Sequence, residues 1–163
     1  MVMIIRKAVD ADLEIFISFT VALSMFNRAH HADECKYDDE QTVYDAIAKS
    51  SKAFFEARDE SSLILIAECE TIPVGYAVGK ILIQDPRADN GTGRYGLIDD
   101  LFVMEEARGL GLGKQFMEEL HTWFTQNDIH RVKLHAYAWN HNAIKIYEHD
   151  GFTPYVISLE KFI

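Results

Sequence analysis

Several things this chain has little of narrow its class before any motif is read. Two cysteines, Cys35 and Cys69, in 163 residues cannot build a disulfide framework. Their flanks spell no redox motif, so both read as reduced thiols of a cytosolic protein. Lys and Arg number 16 against 26 Asp and Glu, a net charge of −10. That deficit argues against sequence-independent nucleic-acid binding, which needs a cationic surface to neutralise phosphates. An acidic surface serves solubility, and it also attracts cationic substrates. No apolar run approaches the roughly 20 residues of a membrane span. The opening MVMIIRKAVD lacks the basic region and long apolar core of a signal peptide. Repeats, low-complexity tracts and linkers are also missing.

What is there fits one globular domain over residues 1–163, with 48% hydrophobic and 26% charged residues. Met3 to Lys7 reads as a strand. Asp10 or Asp12 caps a helix carrying Leu13, Phe16, Ile17, Val21 and Leu23, which breaks in the polar stretch Asn27 to Tyr37. Asp38-Asp39 opens a second helix, with Val43, Ile47, Phe54 and Phe55 inward, that ends at Ser61-Ser62. Leu63 to Glu68 and Val74 to Gln84 form a hairpin turning at Thr71-Ile72-Pro73. Asp85 to Gly93 is a loop, Leu97 to Met104 a buried strand, and Leu112 to Asn127 a helix. Arg131 to Tyr137 is a strand, Asn140 to His149 a helix, and Thr153 to Ile163 a last strand. This order predicts an α/β three-layer sandwich on a mixed sheet.

The organising stretch runs from Gly96 to Gly113, GLIDDLFVMEEARGLGLG. Its strand carries adjacent acids, Asp99 and Asp100. Glycines at 109, 111 and 113 then permit close backbone approach. The following helix has its apolar face on Leu112, Phe116, Leu120, Trp123 and Phe124, a stripe that reads as core. A glycine turn feeding a helix N-terminus gathers unpaired N–H groups at the positive end of the helix dipole, a site for phosphate. It is not a Walker A loop, because Arg108 and Gln115 stand where Gly and Ser/Thr are required. Nor is it a dinucleotide fingerprint, because Lys114 replaces the third glycine.

The stretch does spell R-x-x-G-x-G, as Arg108, Gly111 and Gly113. A second pattern, N-x-x-A-x-x-x-Y-x-x-x-G-F, follows at Asn140, Ala143, Tyr147, Gly151 and Phe152. Together they resemble the GNAT superfamily of N-acetyltransferases over about Tyr95 to Phe152. The flavour of LIDDLFVMEEARGLGLG and AWN is similar to its polyamine/diamine branch. The resemblance implies a mostly antiparallel mixed sheet and acetyl-CoA as co-substrate, with no metal. It implies direct transfer to a primary amine of a small cationic acceptor, polyamine-like or aminoglycoside-like. Leu101, Phe102 and Val103 would hydrogen-bond the pantetheine arm through their main chain. Arg108, Gly109, Leu110, Gly111, Leu112, Gly113 and Lys114 would hold the pyrophosphate. Asn140 and Ala143 would line the arm, and Tyr147 would be the general acid. Family members often end in two strands, whereas about eleven residues remain here after Phe152. The final sheet edge is therefore expected to be short or completed in a homodimer.

The chemistry sets its own demands. A primary amine of pKa ~10.4 is less than about 0.1% neutral at pH 7, so a site must take its proton or depress its pKa. On a central strand, one of Asp99 and Asp100 is expected to point to each face. Desolvation would make such a carboxylate a base, directly or through water. The alternative is that it anchors the substrate cation or holds a buried Lys or Arg. Asp99 is open between base and that alternative, Asp100 is read as the alternative, and both are expected to bind the substrate. His30, His31, Asp33, Glu34 and Cys35 are metal-ligating types without a ligating spacing, and read as a solvated loop near the acceptor. Two rivals remain: a non-catalytic acyl-CoA-binding module, and a P-loop nucleotide hydrolase already disfavoured by spelling.

Overall fold

The computed structural model describes residues 2–85, 87, 89 and 93–163. A sheet of five strands runs through it in chain order: β1 (Met3–Lys7), β2 (Ser62–Cys69), β3 (Ile72–Ile83), β4 (Arg94–Val103) and β5 (Val132–Leu134). The first four pair antiparallel, and β5 joins β4 in parallel. A parallel neighbour needs a crossover, and α3 (Leu112–Gln126) supplies it. α1 (Leu13–His30) and α2 (Glu40–Glu56) precede β2, and α4 (His141–His149) follows β5.

β2 and β3 are apolar on both sides because both faces of the sheet are covered. On one face, Phe16 and Phe19 of α1 and Phe55 of α2 pack on Ile64, Ile66, Tyr76, Val78 and Phe102. On the other, Leu112, Phe116, Leu120 and Phe124 of α3 pack on Leu63, Leu65, Ala77 and Ile98. The expected three-layer sandwich is therefore present, and the α3 stripe is core. Asp39 caps α2 by accepting the Thr42 N–H at 2.9 Å. Asp12 stands at the start of α1 without capping it. Its carboxylate instead accepts the Val9 N–H at 2.7 Å and pairs with Arg6, which also reaches Glu68.

Several boundaries differ from the sequence reading, each for a physical reason. α1 runs on to His30, because its last turn packs on aromatic rings from beyond β5. α2 stops at Glu56. The β2–β3 turn is Glu70-Thr71, both at positive φ (51° and 72°), which matches a two-residue hairpin to the strand twist. The loop expected over Asp85 to Gly93 includes residues 86, 88 and 90–92, which lie outside the described residues. β5 is only Val132–Leu134, because the chain leaves β4 after that point. Thr153 to Ile163 forms no strand. The segment finds no main-chain partner among the described residues, and its side chains are exposed.

The acids on β4 need the largest correction. Val78 pairs with Asp100 and Gly79 with Ile98, so Asp99 is an extra residue, a β-bulge. The extra residue cancels the alternation. Asp99 and Asp100 therefore share the α1/α2 face, rather than taking one face each.

Gly96 shows how tightly α3 sits on β4. A Cβ built there would lie 2.6 to 2.9 Å from three carbons of the Phe124 ring. Gly96→Ala is expected to cost about 1–3 kcal/mol through overpacking. Urea unfolding would measure it, and an unchanged midpoint would contradict this packing.

Candidate active site

β4 loses its neighbour halfway along. Its pairing with β5 covers only Gly96, Leu97 and Ile98, yet β4 continues to Val103. The opened edge carries main-chain groups free to pair with an extended ligand. The Met104 N–H donates to the Val74 carbonyl at 2.8 Å. By the alternation of an antiparallel ladder, Phe102 also points its main-chain groups at β3, while Leu101 and Val103 point theirs outward. Of the three residues expected to hold a pantetheine arm, two thus face the opening. The Phe102 side chain instead helps close the α1/α2-side core.

The opened edge leads to the glycine loop. Gly109 and Gly111 sit at φ 78° and 82°, a left-handed conformation that glycine adopts without strain. These two turns aim the first N–H groups of α3 at one point, backed by its dipole. A Cβ built on Gly113 would meet nothing within 4 Å, so the space over the loop is open to a ligand. Leu112 is buried and contributes only its main chain, whereas Leu110 and Lys114 are exposed. Lys114 stands 3.6 Å from Glu118. Arg108 donates from Nε to the Val103 carbonyl at 3.0 Å and lays its guanidinium over Phe26. It therefore fastens the loop to the end of β4 and to α1. The residues present fit a pyrophosphate-bearing, extended ligand.

Tyr147 of α4 approaches from the α3 side and packs against the core there, with its ring 6.3 Å from Phe152. Burial pushes its hydroxyl pKa up from the ordinary value of 10.0. Asn140 caps α4, its Oδ1 accepting the Ala143 N–H at 3.2 Å. Ala143 lies one turn before Tyr147 on the same face.

The two carboxylates occupy unlike environments. Asp99 forms an ion pair with Lys80 at 2.5 Å, and Lys80 also lies over the Phe54 ring. Asp100 is largely buried and accepts the hydroxyl of the wholly buried Tyr76 at 2.9 Å. Burial raises the Asp100 pKa above the ordinary carboxylate range; the Tyr76 hydroxyl pulls the other way, and Asp99 reinforces the rise. Lys80 and Tyr76 were not foreseen. Finding them needs the β3–β4 register together with its bulge.

A second unforeseen group joins α1 to the connection between β5 and α4. Trp139 lies between His30 and Tyr137, with ring planes within 11° of both. His31 meets Tyr137 edge-on, and Phe26 supports His30. His30 thus ends α1 stacked on the β5–α4 connection and His31, one residue beyond, meets the same rings edge-on, whereas Asp33 and Glu34 are exposed as the sequence suggested. Beside them, a cavity of about 340 Å³ lies between α1 and the end of β4, floored by Phe19 and Phe102. Among the described residues, no three His, Cys, Asp or Glu side chains gather as metal ligands.

Asp100 makes a signed prediction. Its folded pKa is raised, so the stability it contributes while protonated is lost as pH climbs past the unfolded value of ~3.9. Asp100→Asn keeps an acceptor for Tyr76 and removes that loss. The variant's melting temperature should gain on wild type between pH 4 and pH 7. A constant difference would contradict the burial argument.

The chain matches the Acetyltransferase (GNAT) family over residues 23–152. It is 29% identical over 103 residues to the uncharacterized N-acetyltransferase YobR of Bacillus subtilis, covering 63% of this chain. The match takes in 34% of that relative, so this chain spans about a third of its length. The fold is similar to a GCN5-related N-acetyltransferase from Ralstonia eutropha (TM-score 0.75, 19% identity, 99% of both chains). It is also similar to a predicted acetyltransferase from Clostridium acetobutylicum solved with acetyl-CoA (TM-score 0.72, 19% identity, 99% of this chain and 96% of that one). Opened strand, glycine loop and matched family converge on residues 96–152, and this chain belongs to the GNAT acetyltransferase family.

Proposed function

We propose that this protein transfers the acetyl group of acetyl-CoA to a primary amine of a small cationic acceptor, directly and within a ternary complex. The observation that carries the proposal is the open edge of β4. It runs from the acid pair, past Leu101 and Val103, into the Gly109–Gly113 turn, with Tyr147 behind it. When bound, acetyl-CoA supplies the acetyl group already activated as a thioester. Leu101 and Val103 hold the arm through main-chain hydrogen bonds, and in this reading the Leu101 N–H stabilises charge developing on the carbonyl oxygen. The start of α3 holds the pyrophosphate.

Tyr147 keeps a proton at its hydroxyl for the departing sulfur, and its raised pKa means that the proton is present well into alkaline solution. Asp99, the more exposed of the two acids, meets the acceptor ammonium in competition with Lys80 and takes its proton through a water. Asp100 and Tyr76 brace it from below. Two carboxylates on one face support a cationic acceptor, polyamine-like before aminoglycoside-like. A cytoplasmic location and a homodimer belong to the same reading.

Thiol release from acetyl-CoA against polyamines, aminoglycosides, amino acids and short peptides tests the reaction and the acceptor together. Turnover is expected with the polyamines. Tight acetyl-CoA binding with silence across the panel would favour the non-catalytic module instead.

For Tyr147→Phe, kcat should fall about 10²–10⁴-fold with acetyl-CoA affinity unchanged. The wild-type rate should rise with pH as the amine loses its proton, and decline only above pH 10, where the Tyr147 proton is lost. An unaltered kcat in Tyr147→Phe would remove it from the chemistry.

A further inference from the structure

The cavity between α1 and the end of β4 has no part in the transfer described above, yet its lining is mostly apolar. Ile15, Phe19, Ala22 and Phe26 border it from α1, at spacings that make one helix face. Phe102 and Met104 border it from the end of β4. A surface helix needs one apolar stripe to sit on a sheet. Phe16 and Phe19 already serve α1 in that way, buried against β2, β3 and β4. Ile15, Ala22 and Met104 pack only at the margin of that core and stay half-buried, with the cavity beside them.

The floor of the cavity reaches the acid pair. Phe19 stacks on Tyr76 at 6.0 Å with ring planes within 4°, and Phe102 meets these two rings at 6.1 and 6.4 Å. The Tyr76 hydroxyl donates to Asp100. One buried ring therefore links the floor to the carboxylates. Phe102 also sits between Leu101 and Val103, the two residues whose main-chain groups face the opened edge.

Volume and charge define the occupant. About 340 Å³ is a little over twice the roughly 150 Å³ of an apolar cavity that admits benzene. That is room for one substituted aromatic ring or a short alkyl chain. The two charged residues that line it, Glu105 and Arg108, are exposed and of opposite sign. A second ammonium placed here would give up its water and meet no uncompensated acid. A hydrocarbon group instead leaves water for apolar surface, which is favourable.

We propose that this cavity receives the hydrocarbon remainder of the acceptor amine, so that the preferred acceptor is a monoamine bearing an alkyl chain or one aromatic ring. The inference rests on the acetyltransferase reading and extends its order of acceptors by one step, apolar monoamines before polyamines. The reacting ammonium still meets Asp99. A polyamine reaches the acids as well, but leaves the cavity to water.

Equilibrium titration, with and without CoA, measures the binding of ethylamine, butylamine, hexylamine, 2-phenylethylamine and 1,4-diaminobutane. Affinity should rise about 3–4-fold for each added methylene, and hexylamine should exceed 1,4-diaminobutane by at least about tenfold. Ala22→Phe fills the cavity from α1 and should weaken 2-phenylethylamine by at least about tenfold, with ethylamine and CoA bound as in the wild type. Ser18→Phe changes an exposed position on the same lining, and should act in the same direction without disturbing the core.

Flat affinity from ethylamine to hexylamine would overturn the proposal, as would tighter binding of 1,4-diaminobutane than of hexylamine. So would 2-phenylethylamine affinity that neither variant alters. Loss of hexanoyl-CoA affinity in the variants, with amine binding intact, would overturn it by giving the cavity to the acyl chain. Failure of the acetyltransferase reading is distinguishable: thiol release would be missing with every amine while the affinity series persisted.

Discussion

Everything in the site follows from one unmet pairing: β4 goes on for five residues after β5 has left it. An interior strand without a neighbour is costly, because its N–H and C=O groups lose their partners. Here the cost is moderated by exposure, since the groups of Leu101 and Val103 open into a groove rather than into core. Arg108 relieves part of it by donating to the Val103 carbonyl. The opening is therefore held at both ends, by β5 at Ile98 and by Arg108 at Val103. An extended ligand with its own amide groups can pair with the interval between.

The bulge at Asp99 is the second consequence of the same strand. Regular alternation would have sent one acid into the α3 side, among Ile98, Leu120 and Phe124, where a carboxylate has no partner. The extra residue instead turns both acids toward α1 and α2, where Lys80 and Tyr76 receive them. The α3 side stays apolar, which permits Gly96 to lie against Phe124 and fixes the helix whose first turn forms the loop. The acids and Tyr147 consequently lie on opposite faces of the sheet.

Legibility in the sequence tracks contact distance along the chain. The glycine loop, the Asn140 cap and the Ala143–Tyr147 spacing are local, and local motifs with their family resemblance pointed to them. So were the helices and most strands, whose apolar periods match the faces they bury. Lys80 and Tyr76 reach their acids across a register that a bulge has shifted, and no local pattern encodes that shift. The stack of His30, Trp139 and Tyr137 joins residues more than one hundred positions apart. The polar letters around His30 suggested a loop because the rings that extend the helix arrive from the far side of the fold. Residues 153–163 misled in the opposite sense: their composition is that of a strand, but a strand requires a neighbour.

That last case bears on how the site is built. The connection after α1 has its inner end on Trp139 and its outer end on Glu160 and Phe162, so its position depends on two segments with few contacts of their own. Trp139 directly precedes the Asn140 cap of α4, and α4 carries Tyr147. The outer end is therefore linked to Tyr147 through His31, Trp139 and the α4 cap, without passing through the sheet. The rigid half of the site is β4 with α3, packed on both faces. The less buried half is the ring stack and α4, whose residues are at most half-buried.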